Sequence, residues 1–467
     1  MLTLESLLDK HRRYEKEPDL DLIRHAYAFA EVAHLGKKRL NGEEEITHLL
    51  EVAGCLVDYH TDSVTLAAAL LHDILEESEV DHEMLEKEFG EEITSLVDGL
   101  TVVRTASGRL EAGKSKNWEN LRHLILASIH DPRVLVVRLA DKIHNLRTSS
   151  VLTAEERGVS AQKVFDIWAP LAEILGLYRF KSEMEDLAFE ILHPQDFKKI
   201  KSVVRLESEK IAQVVDSVSE KLSAELDRQN IPAEITSRTK HLFGVYRKMP
   251  RYESHAGGKM FDVLGLRVVT DKVENCYRTL DLARKFWKEV PEFFDDYVAH
   301  PKPNGYQSIH AVFEVDGQMI EIQIRTKEMH EMAEYGLAAH SVYKEKGDRH
   351  IAAAERIRLV ESLLAWGKGQ ELDLFPDQVF VFTPKGDVKV LPKGATPVDF
   401  AFDVHTQIGR ECAGARANGK AVSLDYLLKT GEVVEIMISK GKKPSVDWLR
   451  FVKTEHARSE IEKVVRG

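Results

Sequence analysis

The stretch LLHDILEE, Leu70–Glu77, closes the run TLAAALLHDILEE, in which alanines and leucines recur at helical spacing. Packing alone would extend that stripe, because a buried ionisable group is costly unless it is paired or bound to a metal. Instead His72, Asp73, Glu76 and Glu77 interrupt it. On one continuous helix Asp73, Glu76 and Glu77 share a face, with His72 about 100° away from Asp73. A second apolar segment, RLADKIHNLRT (138–148), sets Asp141, His144 and Asn145 at i, i+3 and i+4, and EITHLLEVAGCLV (45–57) holds His48 in apolar surroundings. One His, the His-Asp pair and one Asp from three helices make a mixed imidazole and carboxylate shell, which suits manganese, iron or magnesium better than structural zinc. Core histidines and a wetted acidic face are the alternative for each residue alone. The His72-Asp73 doublet inside an apolar run, with a His upstream and an Asp downstream, argues against it.

This constellation resembles the HD phosphohydrolase superfamily, and the resemblance implies His48, His72, Asp73 and Asp141 as metal ligands. In such a site a metal lowers the pKa of water and polarises a phosphoryl oxygen, so that a phosphoester is hydrolysed near neutral pH. Glu76 and Glu77, one turn from Asp73, are placed to orient water and act as acid or base. Arg39 can neutralise a phosphate.

The chain has 467 residues, 43% hydrophobic and 30% charged, with a net charge of -12. Roughly 150 residues per domain predicts about three domains. The acidic balance argues against a purely electrostatic nucleic-acid binder. Cys55, Cys276 and Cys412 are too far apart for a zinc motif and odd in number for a closed disulfide set, which points to a reducing cytoplasm. No membrane partner is expected, since nothing approaches the roughly 20 apolar residues of a span.

From residue 19 to about 200 the pattern is helical, broken at NGEEE (41–45) and TASGRLEAGKSKN (105–117), and a long amphipathic helix covers 199–229. Short strands follow, VLGLRVVT (263–270), SIHAVFEV (308–315) and MIEIQIRT (319–326), with a helical segment at 273–288 and another near 329–368. DQVFVFTPKGDVKVLPKGATPVDFAFDVH (377–405) then reads as alternating strands joined by Pro-Lys-Gly turns. The fold class is multidomain: an all-α domain, a mixed α/β domain and a small β-rich domain.

The mixed domain carries a second constellation. TSRTKHLFGVYRKMPRY (236–252) has Arg238, Lys240, Arg247, Lys248 and Arg251 without an acid, interleaved with aromatic residues. That composition suits triphosphate and base contacts, though a solvated face reads the same way. Period-two alternation puts Glu321, Gln323 and Arg325 on one face of their strand, looking into a site or into solvent. Asp262 precedes another strand, and if the two strands are neighbours Asp262 and Glu321 can share Mg2+. Between them, YVAHPKPNGYQSIHAVF (297–313) presents Lys302, Asn304, Tyr306, Gln307 and His310, with Tyr306 expected to be exposed for stacking on a base.

HPKPNGYQSIH, IEIQIRTKEMHEMAEYGLAAH and RTKHLFGVYRKM, after LLHDILEE and RLADKIHNLRT, resemble the long RelA/SpoT homologues, the (p)ppGpp synthetase/hydrolases of the stringent response. The resemblance implies a synthetase that moves pyrophosphate from ATP to the 3′-hydroxyl of GDP or GTP, and a hydrolase that removes it. It implies Asp262 and Glu321 on Mg2+, with Glu321 also activating the hydroxyl. Arg238, Lys240 and Lys248 would hold ATP, Tyr306 would stack on guanine, and Lys302, Asn304, Gln307 and His310 would lie near the acceptor. Arg39, Glu76, Glu77, Asn145 and Thr148 would join the hydrolase ligands around Mn2+. Three features depart from the family pattern: Glu76-Glu77 where Glu-Asp is usual, Gly244 where serine is common, and the loop at 250–262. A metal phosphohydrolase with a merely nucleotide-binding second domain, or a ribosome- and tRNA-binding module with degenerate sites, are the competing readings.

The segment from 377 resembles a TGS domain, which implies a small β-grasp fold and which in this family meets uncharged tRNA on the ribosome, with His405 the residue of interest. Expected domains are 1–155 (HD), 156–200 (helical connector), 201–370 (synthetase) and 375–440 (TGS). Residues 441–467 read as the opening of a further helical segment, as in a truncated chain.

Overall fold

The run TLAAALLHDILEE is two helical pieces with a turn between them. Ser63–Leu70 is helical, with the Asp62 side chain accepting from the Thr65 amide, and Ile74–Glu77 forms a separate turn of helix. Leu71 (φ −104°, ψ 1°) and Asp73 (φ −106°, ψ 0°) leave helical geometry for the sparsely used region between helix and strand. The continuous helix expected from the spacing is therefore corrected. The break brings His72 and Asp73 together, with Nε2 3.2 Å from Oδ1, where one helix would splay them apart.

The computed structural model describes residues 2–108, 125–255, 263–302, 304–336, 360, 362–363, 377–385 and 387–466. Two units are distinguished, Met1–Thr101 with Arg133–His340, and Val102–Pro132 with Ser341–Gly467. In the first, residues up to Arg228 are helical as expected, and Glu45–Val57, Ser63–Leu70 and Arg133–Arg147 bury nearly all their apolar residues. The first residues of the break expected at 105 are still helical, to Gly108, in a segment that starts beyond a non-helical kink at Gly90 (φ 78°).

A mixed sheet follows, built from β1 (Ala233–Thr239), β2 (Leu264–Thr270), β3 (Lys288–Glu289), β4 (Asp295–Asp296), β5 (Ile309–Val315) and β6 (Gln318–Thr326). Its order is β1-β2-β6-β5-β3, with β4 paired to β5. β2 and β6 run parallel and the other pairs are antiparallel. One face is apolar: Leu266, Val268, Ile309, Ala311, Phe313, Ile320, Ile322 and Ile324 pack against Ile211, Val215, Val218, Leu222 and Leu226 of the Pro194–Arg228 helix. Those five recur every three or four residues, which gives the helix its stripe. Its earlier turns bury Phe197, Ile200 and Val204 in a separate cluster with Phe189 and Val245.

In the second unit β7 (Gln378–Phe382) pairs with β8 (Val388–Pro392), and β9 (Cys412–Ala417) lies between β10 (Lys420–Val422) and β11 (Val434–Ile438). The segment TPVDFAFDVH, expected as strand, is a helix, Pro397–Val404. Proline at its first position and a Thr396/Asp399 capping box outweigh the alternating pattern. Asp399 is fully buried and accepts five hydrogen bonds: from Thr396 N and Oγ1, from Lys453 N, and from Thr454 N and Oγ1. Removing that carboxylate strands the two buried donors of Thr396, each costing about 1–3 kcal/mol, and leaves three part-buried donors to water. Asp399→Ala is thus expected to destabilise this unit by about 3 kcal/mol or more. Hydrogen exchange at the Lys453 and Thr454 amides should accelerate correspondingly, and unchanged protection there would refute the assignment.

Candidate active sites

In the helical part His48, His72 and Asp73, all buried, bring one donor atom each within 4.8 Å of one another. Asp141 stands at the edge of this group, with Oδ1 3.5 Å from His48 Nε2. The backbone carbonyl of Ala69 accepts from His72 Nδ1 at 2.7 Å, which leaves the lone pair on Nε2. That nitrogen makes no hydrogen bond among the described residues. Two imidazoles and a carboxylate, buried and converging, fit a divalent cation. The expected ligands are therefore brought together, from Glu45–Val57, the turn after Ser63–Leu70, and Arg133–Arg147.

Burial opposes the Asp141 charge, but Lys142, His48 and Arg138 outweigh it and hold the carboxyl well below the usual carboxylate range. Asn145 Nδ2 donates to Asp141 Oδ1 at 2.5 Å, and Asn145 Oδ1 accepts from Arg39 Nη2 at 2.7 Å. Arg39 also reaches Glu45 Oε1 at 2.9 Å. Arg39 and Asn145 thus join the site as expected, whereas the Thr148 hydroxyl, just past the end of the Arg133–Arg147 helix, donates to the His144 carbonyl.

Glu45 is an addition. It gathers with Asp73 and Glu77 within 4.8 Å, and burial, with Glu77 and Asp73 nearby, pushes its carboxyl up against the opposing Arg39. Its place three residues before His48, on the same helix face, was the available signal.

In the mixed domain the strand neighbours required for a shared Mg2+ are present, with Leu266 opposite Ile322 and Arg267 opposite Gln323. Asp262 itself lies outside the described residues, as do residues 256–262 of the loop that departs from the family pattern. A Cβ on Gly265 would come 2.6 Å from the Glu321 carbonyl oxygen, so only glycine permits this approach of β2 to β6. Gln323 and Arg325 are buried, so this part of the polar face of β6 looks into the protein and not into solvent, with Glu321 half-buried beside it. Gln323 donates to Glu321 at 3.2 Å and accepts from Arg238 at 2.8 Å, which makes it a bridge that the alternation alone did not single out. Glu334 pairs with both Arg267 (3.0 Å) and Arg325 (3.2 Å), a clamp joining β2 and β6 to the Lys327–Tyr335 helix. Crowded by Arg267 and buried, the Arg325 guanidinium is pushed down to about 10.

Tyr306 is not the exposed ring expected. Its hydroxyl bonds His310 Nε2 at 2.8 Å, and His310 Nδ1 lies 3.3 Å from Glu321 Oε1, so tyrosine, imidazole and carboxylate form a chain. Tyr178 of the connector packs edge-on against Tyr306 at 5.3 Å, and its hydroxyl accepts from Asn304 Nδ2 at 2.6 Å. Burial is the physical cause of the correction, and it raises the Tyr306 phenol against Arg325 and Arg238. Lys302 lies over the rings of Tyr297 and Tyr306, while Gln307 donates to the Val298 carbonyl. Arg238 is on β1, Lys240 follows it, and Lys248 is on the Leu242–His255 helix. At Gly244 a Cβ would stand 2.6 Å from the His241 ring, itself 3.0 Å from Glu185, so serine at this position would displace His241.

Residues 26–178 match the HD domain, 237–348 match the region found in RelA/SpoT proteins, and 379–438 match the TGS domain. A relative from Aquifex aeolicus named guanosine-3′,5′-bis(diphosphate) 3′-pyrophosphohydrolase is 40% identical over 99% of this chain and 66% of its own length. One from Myxococcus xanthus named GTP pyrophosphokinase is 37% identical over 97% of this chain and 61% of its own. A probable guanosine-3′,5′-bis(diphosphate) 3′-pyrophosphohydrolase from Synechocystis is 41% identical over 94% and 60%. The chain belongs to the long RelA/SpoT homologues. It spans about three fifths to two thirds of the length of these relatives.

His330, beside the Arg325–Glu334 pair, is lowered from 6.5 to about 4 by burial and by Arg325. A histidine kept neutral by folding contributes stability above its unfolded pKa and loses it as pH falls toward the folded one. The unfolding free energy of the wild type minus that of His330→Gln should therefore decline between pH 6.5 and about 4 in a urea titration series. A flat difference across that window would count against the half-buried neutral ring.

Proposed function

We propose that the chain is a bifunctional alarmone enzyme. At the synthetase site ATP and GDP or GTP give AMP and (p)ppGpp, and at the HD site (p)ppGpp and water give GDP or GTP and pyrophosphate. The observation that carries the reading is the presence of two separate, mostly buried polar constellations on one chain. One is built on His48, His72 and Asp73, the other on Glu321 with Gln323, His310 and Arg238. Family membership across nearly the whole chain supports it.

On the hydrolase side His48, His72, Asp73 and Asp141 would hold Mn2+. The cation supplies positive charge against the phosphoryl oxygens and acidity to water. Arg39, oriented by Glu45 and Asn145, meets the substrate phosphate, and Glu76 and Glu77 orient water and carry its proton. The extra methylene of Glu77 is compatible with this role, since its carboxylate reaches the group containing Asp73 and Glu45.

On the synthetase side Asp262 and Glu321 would hold Mg2+, and Glu321 accepts the 3′-hydroxyl proton as the oxygen attacks the β-phosphorus of ATP. Arg238, Lys240 and Lys248 hold the triphosphate. Lys302, Asn304, Gln307 and His310 surround the acceptor, and Tyr306 stacks on guanine once Tyr178 gives way. The TGS domain would meet uncharged tRNA on the ribosome in the cytoplasm. Its His405 is exposed, with the ring accepting from the Gln407 amide at 3.1 Å. Among the described residues no helix is long and apolar enough to cross a membrane.

Incubation with Mn2+, Mg2+, ATP and GDP, or with the alarmone, followed by chromatographic separation of nucleotides tests the reading directly. Asp73→Asn is expected to abolish alarmone hydrolysis and spare pyrophosphate transfer. Glu321→Gln is expected to do the reverse, since it removes a cation ligand and base while keeping the strand's shape. If each substitution lowered both activities alike, the two-site assignment would fail.

A further inference from the structure

A histidine that ligates through Nε2 must carry its proton on Nδ1, and the partner of Nδ1 decides whether it does. For His72 that partner is the Ala69 carbonyl, which can only accept, so the tautomer is set. His48 has no such carbonyl: its Nδ1 lies 2.8 Å from Nδ1 of His144, three residues beyond Asp141 on the Arg133–Arg147 helix. The two rings are tilted by 50° with centroids 4.7 Å apart, and both are buried. Two nitrogens at that separation share one proton. If His144 donates it, His48 Nε2 carries the other hydrogen and turns an N–H toward Asp141. If His48 donates it, Nε2 presents a lone pair to the same space as His72 Nε2 and Asp73.

We propose that His144 is a positioning residue of the hydrolase site: its Nδ1 accepts from His48 Nδ1 and thereby commits His48 Nε2 to the cation. The inference rests on the reading of His48, His72 and Asp73 as cation ligands. His144 then does for His48 what the Ala69 carbonyl does for His72. The helix that supplies Asp141 also fixes the orientation of a histidine on the facing helix, so one rigid element sets two donors. Asn145, next in sequence, ties the same turn to Arg39.

The test is Mn2+ binding to the whole chain, read from the electron paramagnetic resonance signal of free Mn2+ and counting the site that Asp73→Asn removes. His144→Asn keeps an acceptor oxygen near the Nδ1 position. His144→Gln puts its amide nearer the Nε2 position, and His144→Leu offers no acceptor. The expected result is a Kd within about threefold of wild type for His144→Asn and weakened about 10–100-fold for His144→Leu and His144→Gln. If His144→Leu does not fold, the Asn and Gln pair decides the question. Wild-type affinity in the Gln variant, or equal losses in Asn and Gln, overturns the positioning role while leaving the metal reading intact. Unchanged Mn2+ binding in Asp73→Asn overturns the metal reading itself, and the inference with it.

Discussion

The buried Asp141 carboxylate is the charge around which the helical domain is arranged. A lone carboxylate so enclosed would be too costly to keep ionised. It is kept so by Arg138 Nη1 at 3.2 Å, Lys142 Nζ at 3.3 Å and the Asn145 amide, all contributed by the same helix. Local sequence thus satisfies most of this charge, and the fold has only to bring His48 and the His72-Asp73 turn up to it. The arrangement resists loss of single partners poorly, because each leaves a buried charge undercompensated.

The mixed sheet solves a related problem differently. Its apolar face is closed by the Pro194–Arg228 helix, while its other face holds two polar groups: Gln323 with Glu321, and Arg267 and Arg325 with Glu334. The Nε atoms of Arg267 and Arg325 make no hydrogen bond among the described residues, so Glu334 carries most of the compensation for the half-buried Arg267 and the buried Arg325 guanidinium charges. Gly265 lets β2 approach β6 closely enough for the network to form across the parallel pair.

The first turn of the Tyr178–Leu192 helix touches both the loop that holds Asn304 and Tyr306 and the end of the helical domain. Tyr178 meets Asn304 and Tyr306, while Arg179 lies over Tyr59 at 5.2 Å and Phe180 packs on Tyr59 at 3.8 Å. Three consecutive residues therefore report on the synthetase loop and on the end of the helical domain at once.

Residue identity and spacing determined which side chains assemble. His48, His72, Asp73 and Asp141, the Glu321 strand with its buried isoleucines, and the long amphipathic helix were all legible, because a polar group within an apolar period stands out wherever it folds. Tertiary structure decided what local pattern cannot encode. The turn at Leu71–Asp73 leaves no mark in an unbroken helical period, and Glu45, His144 and Gln323 look like ordinary surface or core residues until a partner distant in sequence lies against them. Tyr306 sits in a turn that reads as exposed, and it is covered by Tyr178, 128 residues earlier in the chain, together with Tyr297 and Lys302. Burial and hydrogen-bond partners depend on contacts between remote segments, and those are set by packing and not by periodicity.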